Sequence, residues 1–300
     1  MSYKKQNMKY IKLYEEYTSG GESDHPGFLS TREDIKSCLD SMGIEGYIIK
    51  DDLTVDVNGD VQLNNRTPDY IPVQFGVVSG AFYCYDNNLT SLKGCPTKVG
   101  EGFFCNNNNL TSVEHCPTKV GGEFYCANNN LTSLEHCPTK IGGNFDCSYN
   151  NLTSLENSPT KIFGYFDCSN NNLISLENGP TKAGWYFSCS NNNLTSLKGC
   201  PTEVGGSFYC YNNIIVSEIQ RLYYGDENPS WETDDLELIS SRFFDKFEGL
   251  DVDTKVDVLN TLKKLEPEFY NSAAFQAYNP DSMLGRMERS KDATRGLFEL

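Results

Sequence analysis

The stretch from Phe124 to Asn144, "FYCANNNLTSLEHCPTKIGGN", decides how this chain is read. Within it, Asn130-Leu131-Thr132 has the form of an N-glycosylation acceptor, and the same triplet starts at Asn88, Asn109, Asn151 and Asn193. Five copies mean either a glycosylated surface protein or one structural constraint met five times. Comparing the sequence with itself favours the second, because the stretch is one unit of an unbroken period of 21 residues. Cys84, Cys105, Cys126, Cys147, Cys168, Cys189 and Cys210 form one column, with Phe82 to Phe208 two places earlier and Asn87 to Asn213 three places later. A leucine column runs from Leu89 to Leu194, a second apolar column from Leu92 and Val113, and a proline column from Pro96 to Pro201. The unit is F-x-C-x-x-N-x-L-T-S-L-x-x-C-P-x-x-V-G-G-x.

Alternate residues of a strand share a face, so F-x-C reads as a short strand with both side chains directed inward. The chain then turns at asparagine, buries leucine, and returns through a Pro- and Gly-punctuated arc. One unit buries only about five apolar side chains worth roughly 1.5 to 3 kcal/mol each. Ordering each residue costs roughly 1 to 2 kcal/mol of backbone entropy. A lone unit therefore cannot fold, whereas stacked units share one core. The sequon is then a by-product of the turn. Asn129 is the member of the periodic column, with its amide expected to bond backbone of neighbouring coils, Leu131 enters the core, and Thr132 begins the arc.

The spacing F-x-C-x-x-N-x-L resembles the L-x-L-x-x-N-x-L signature of leucine-rich repeats, and the "LTSLxxCPxxVGG" arc is similar to short repeats of bacterial and tailed-phage proteins. One departure stands out: the family's L-x-x-L step before the strand is V-x-x-x-F here, as from Val120 to Phe124. The resemblance covers about half the chain and implies a curved parallel sheet with a binding role, usually toward proteins. It implies no reaction, since fold alone carries no chemistry.

The register continues backward through Val61, Leu63, Ile71 and Val78 as a degenerate first repeat. Before it, "YIIKDDLTVDVNGDVQL" alternates apolar and polar residues around Asn58-Gly59, which predicts a hairpin turning there and capping the sheet edge. Ser30 with Glu33 reads as a capping box and Gly43 as a stop, giving a short helix, and a further helix is read around Tyr10 to Tyr17. After Asn213 the sequence becomes acidic and helix-patterned, with candidate helices at Ile219–Tyr223, Leu236–Phe247, Val252–Leu265, Phe269–Tyr278 and Ser282–Arg289. Pro229, Pro267 and Pro280 mark breaks between them. The expected architecture is an α/β repeat solenoid: an N-terminal helical segment over 1–46, β-hairpin cap strands over 47–60, the repeats over 61–213, and a helical domain or cap over 214–300.

Composition limits the function classes. The 300 residues are 38% hydrophobic, enough for a substantial core, and the formal charge of −16 disfavours bare nucleic acid or an anionic membrane as partner. The opening "MSYKKQNMKYIKLYEEY" lacks the apolar run of a secretory signal, and no stretch reaches transmembrane length, which predicts an intracellular, cytoplasmic protein, or a virion component if phage-encoded. In that setting the twelve cysteines are expected to be free thiols. His115-Cys116 and His136-Cys137 invite a zinc reading, but adjacent residues of an extended segment point oppositely and C-x-x-C spacing is missing. Buried thiols beside solvent-facing imidazoles are expected instead, with no metal and no cofactor.

The variable slots of the strand carry the functional reading. Between Phe and Cys stand Tyr83, Phe104, Tyr125, Asp146, Asp167, Ser188 and Tyr209; before Phe stand Ala81, Gly102, Glu123, Asn144, Tyr165, Tyr186 and Ser207. Tyr83, Phe104, Glu123, Tyr125, Asp146, Tyr165, Asp167, Tyr186 and Tyr209 therefore describe an exposed aromatic face with an acidic centre, suited to a protein partner bearing a basic patch. Asp146 with Asp167 supplies two carboxylates but neither the cleft of a catalytic pair nor the six oxygens of a calcium site. The expected activity is non-catalytic binding. The alternatives are a structural part of a larger assembly such as a phage particle, with contacts made by the termini, and an enzyme in the C-terminal helices, where Glu266, Glu268, Asp281, Arg286 and Arg289 show no recognisable arrangement. Finally, Ser158 and Gly179 replace the second cysteine while Phe163 and Trp185 replace glycine, which predicts that the rings fill vacated volume; the alternative is that both are exposed and form a second contact surface on the opposite side of the solenoid.

Overall fold

The protein is described by a computed structural model over residues 27–64, 70–195, 197–214, 247–265, 270–271, 276 and 280–295. It contains two compact units. One comprises residues up to Asn172 with Glu177–Cys189 and Cys200–Tyr209; the other comprises Leu173–Leu176, Ser190–Gly199 and the chain from Cys210 onward.

In the first unit each 21-residue coil contributes to a ladder of parallel strands two residues long. Eight strands from Val61–Gln62 to Phe208–Tyr209 pair in strict register, Phe82 on Phe103, Phe124 on Phe145, Phe166 on Phe187. Phe82 to Phe187 are fully buried, and successive rings stack 5.2 to 5.8 Å apart. The coil is leucine-rich-repeat-like, with Cys and Leu columns completing the core behind the phenylalanines. All twelve cysteines are thiols rather than halves of disulfides. Cys147 and Cys168 donate to the carbonyls of Asp167 and Ser188 in the next coil, and burial pushes both thiols well above their ordinary range.

The asparagine column ties coil to coil. Asn129 Nδ2 donates to the Cys105 carbonyl of the preceding coil at 3.0 Å and to Cys126 and Ala127 of its own, while Oδ1 accepts the Leu110 amide at 3.0 Å. Asn108, Asn150 and Asn171 repeat this set. Turn groups that no strand satisfies are satisfied by one buried amide per coil. The preceding asparagine does a different job: Asn107 and Asn128 hold φ of 56° and 53°, a conformation Asn tolerates, and Asn128 donates to Asn107 Oδ1 on the surface.

The return arc is more regular than the sequence suggested, because it holds a second parallel ladder. Lys98–Val99 pairs with Lys119–Val120, with lysine outward and valine buried. This ladder is interrupted. Val120 bridges Ile141, and then a separate three-stranded sheet begins at Lys161–Ile162 and continues through Lys182–Ala183 and Glu203–Val204.

The N-terminal cap corrects two expectations. β1 (Tyr47–Ile49) pairs antiparallel with β2 (Val55–Val57), but the chain reverses at Lys50–Thr54, where the Lys50 amide donates to Thr54 and Leu53 takes a φ of 66°. Asn58-Gly59 is no hairpin turn: it is a solenoid corner, since β2 pairs parallel with β4 (Phe75–Val78) in one ladder while β3 (Val61–Gln62) opens the other. Gly59 takes a φ of 133° at this corner, a freedom that a type I′ turn also asks of its glycine, which is why the dipeptide misleads. Helix α1 (Arg32–Met42) is capped by Thr31, whose Oγ1 accepts the Asp34 amide at 3.1 Å, one residue beyond the predicted Ser30–Glu33 box; Gly43 ends it in a left-handed conformation.

The second unit contains α2 (Val252–Leu265), with the bounds the sequence predicts, and α3 (Pro280–Arg295), which opens on Pro280. The two helices pack together, and Asp281 accepts from Lys263 at 2.8 Å and from the buried Tyr270 hydroxyl at 3.0 Å. The helices read at Tyr10–Tyr17, Ile219–Tyr223, Leu236–Phe247 and Phe269–Tyr278 lie outside the described residues except for Phe247, Tyr270, Asn271 and Gln276. No helix among the described residues is long and apolar enough to cross a membrane.

Candidate protein-binding surface

The residue between buried Phe and buried Cys must point away from the core, so the first ladder carries its variable slots on its outer face. The rings there form a continuous ribbon. Tyr83 stacks on Phe104 at 4.8 Å, Phe104 meets Tyr125 edge-on at 5.1 Å, Tyr125 approaches Tyr165 at 6.0 Å, Tyr165 stacks on Tyr186 at 4.5 Å, and Tyr186 meets Tyr209 at 5.9 Å. Gly102 makes room for this: a β-carbon there would lie 2.4 Å from the Phe104 ring.

The rings are half-buried against one another, not fully exposed as the sequence suggested; only Tyr209, at the end of the row, is 44% exposed. Stacking neighbours at the strand spacing of about 4.8 Å leaves each ring one open edge. Burial raises the phenol of Tyr83, and that of Tyr165, which also hydrogen-bonds with Tyr125. Burial, reinforced by Asp167 and Asp146, pushes Tyr186 up to about 12. These hydroxyls therefore stay neutral donors.

Asp146 and Asp167 are direct register partners on adjacent strands. Asp146 Oδ1 accepts the Ser148 amide at 3.0 Å and its hydroxyl at 2.7 Å; Asp167 Oδ1 accepts the Ser169 amide at 2.9 Å. The Asp146 carboxyl is held above the usual carboxylate range, first by burial and then by the charge of Asp167, against the pull of those Ser148 bonds. Glu123 stands apart from this pair, over the glycines of its neighbouring coils, with its carboxyl carbon 3.4 Å from a β-carbon placed at Gly143.

Sequence reasoning passed over Asn144, which joins the two halves of the ribbon. Its Nδ2 donates to the Tyr125 hydroxyl at 3.2 Å and its Oδ1 accepts the Tyr165 amide at 3.0 Å. It also passed over the serines that orient the aspartates, although Asp146-Cys147-Ser148 and Asp167-Cys168-Ser169 repeat one tripeptide that signals Asx turns.

Two other candidate sites resolve into backbone requirements. His115 and His136 sit at φ of 69° and 70°, in a column shared with Gly94, Asn157, Asn178 and Gly199, all with positive φ. Histidine occurs there because it tolerates the left-handed conformation. The imidazoles are half-exposed beside Glu114 and Glu135, while Cys116 and Cys137 are buried. Ser158 replaces a thiol in kind, donating to the Asn178 carbonyl at 3.1 Å as Cys116 does to that of His136 at 3.3 Å. The volume-compensation idea fails: Phe163 is 76% and Trp185 65% exposed, so neither ring fills the core.

No family model matches the sequence, and no curated protein matches it. Among solved structures, YopM from Yersinia enterocolitica WA-314 is similar over 68% of this chain, with 19% identity and a TM-score of 0.40. The chain spans 46% of that structure's length. The repeat fold itself rests on the hydrogen-bonded ladders described above.

Proposed function

We propose that the protein is a non-catalytic binding module whose aromatic ribbon captures a protein partner through a basic patch. The observation that carries this reading is the unbroken run of ring contacts from Tyr83 to Tyr209 around the Asp146–Asp167 pair. Half-buried, mutually stacked tyrosines present large contact area with little rotamer freedom left to lose on binding. Two adjacent carboxylates beside them, one already partly desolvated, gain most from an incoming guanidinium or ammonium.

Affinity capture from the source cell tests this. The double variant Asp146→Lys/Asp167→Lys is expected to lose the captured partner while keeping its fold, and Tyr165→Ala to weaken capture about tenfold or more. Capture that survives the double charge reversal would sink the proposal.

A further inference from the structure

The second ladder carries a surface of opposite character. Lys98, Lys119, Lys140, Lys161 and Lys182 occupy one column of a chain whose formal charge is −16. All five are exposed, and Lys98 with Lys119 and Lys161 with Lys182 are direct register partners. Like charges facing each other across a strand pair are destabilising. Lys182 is relieved by Glu203 at 2.6 Å, whereas Lys98, Lys119, Lys140 and Lys161 have no ion-pair partner among the described residues.

Two large exposed rings follow the C-terminal lysines of this column in sequence. Lys161-Ile162-Phe163 alternates exposed, buried, exposed, which puts the Phe163 ring on the lysine side of its strand. Trp185 follows the corner after Lys182-Ala183. Both stand where most other coils have glycine, and at the Phe163 position the reason is steric: a β-carbon at Gly121 or Gly142 would lie 1.9 or 1.8 Å from the carbonyl oxygen of the preceding corner. Phe163 occurs where the second ladder breaks after Ile141, so the departure from glycine coincides with an opened corner. Neither ring serves the core.

We infer that Lys140, Lys161, Lys182, Phe163 and Trp185 form a second docking surface, and that its occupant is an acidic protein segment carrying an apolar anchor. Incoming carboxylates relieve the lysine row, and an apolar side chain covers the two rings. A long nucleic acid also offers anions and stacking, but it meets the repulsion of the whole chain, whereas a short acidic segment brings few charges.

The test uses the full chain and fluorescence anisotropy with three labelled probes: a peptide alternating Glu and Leu, the same peptide with Lys for Glu, and an oligo-dT of matched charge. The Glu/Leu peptide is expected to bind, less tightly as salt rises, and to lose about tenfold or more in affinity both in Phe163→Gly/Trp185→Gly and in Lys140→Glu/Lys161→Glu. The glycine variant restores the residue other coils use, so its thermal midpoint checks that folding is intact. Asp146→Lys/Asp167→Lys should leave this binding unchanged, which separates it from the ribbon. The inference is overturned if the Glu/Leu peptide does not bind, if it binds the variants equally, or if oligo-dT is the tighter ligand. It is likewise overturned if sedimentation shows wild-type self-association that the glycine variant lacks, since the occupant is then a second copy.

Discussion

The two ladders belong to the same coils, yet the first runs unbroken through eight strands and the second breaks after Ile141. The difference lies in how many constraints each coil imposes. At the first ladder a coil sets a stacked phenylalanine, a buried cysteine and an asparagine with four hydrogen bonds, as Phe145, Cys147 and Asn150 do within six residues. At the second it sets one buried Val, Ile or Ala and relies on a glycine corner for close approach. Redundant constraints hold register when one of them changes, and a single steric constraint does not. The broken ladder is also where the large exposed rings stand.

The largest effect should come from the asparagine column. Replacing Asn150 with Leu should destabilise by roughly 2 to 6 kcal/mol in urea unfolding, about 0.5 to 1.5 for each of its four hydrogen bonds, with the Leu131 amide left unpaired. An equally large loss on replacing the exposed Asn151 would break the contrast between buried and surface asparagines. Next, Phe145→Ala should cost about 3 to 5 kcal/mol, against about 0.5 to 1.5 for Ile162→Val on the second ladder. Comparable costs would mean that the two ladders are equally constrained.

Smaller changes probe the corners. Gly142→Ala should destabilise by about 1 to 3 kcal/mol because its β-carbon meets a backbone carbonyl, while Phe163→Gly should change stability little. At the left-handed column, His136→Val should cost about 1 to 2 kcal/mol and His136→Gly should be tolerated, which a role in metal binding would not produce.

The smallest expected effect concerns pH. The folded-state pKa of Asp146 is raised, so between the ordinary carboxylate range and that raised value the folded chain holds a proton that the unfolded chain has lost. Stability from this group is therefore present in acid and declines as pH rises through that interval. Asp146→Asn should gain stability relative to wild type toward neutral pH and show no such gain in acid, read from urea midpoints. A constant offset at all pH values would count against burial as the dominant cause.

The period, the inward columns and the bridging role of Asn129 were legible in the amino-acid sequence because each is a local demand repeated at a fixed interval. So was the outward direction of Tyr83, Phe104, Tyr125, Asp146 and Asp167, which follows from strand alternation. Asn58-Gly59 was not, since corner and hairpin both use a glycine with positive φ. The tertiary structure alone decided which rings touch, that Asn144 links Tyr125 to Tyr165, and that burial raises Asp146. It alone decided that Phe163 and Trp185 face solvent. Those properties depend on the distance and exposure created when one coil lies on the next, and a repeating sequence carries the period of that stacking but not the contacts made across it.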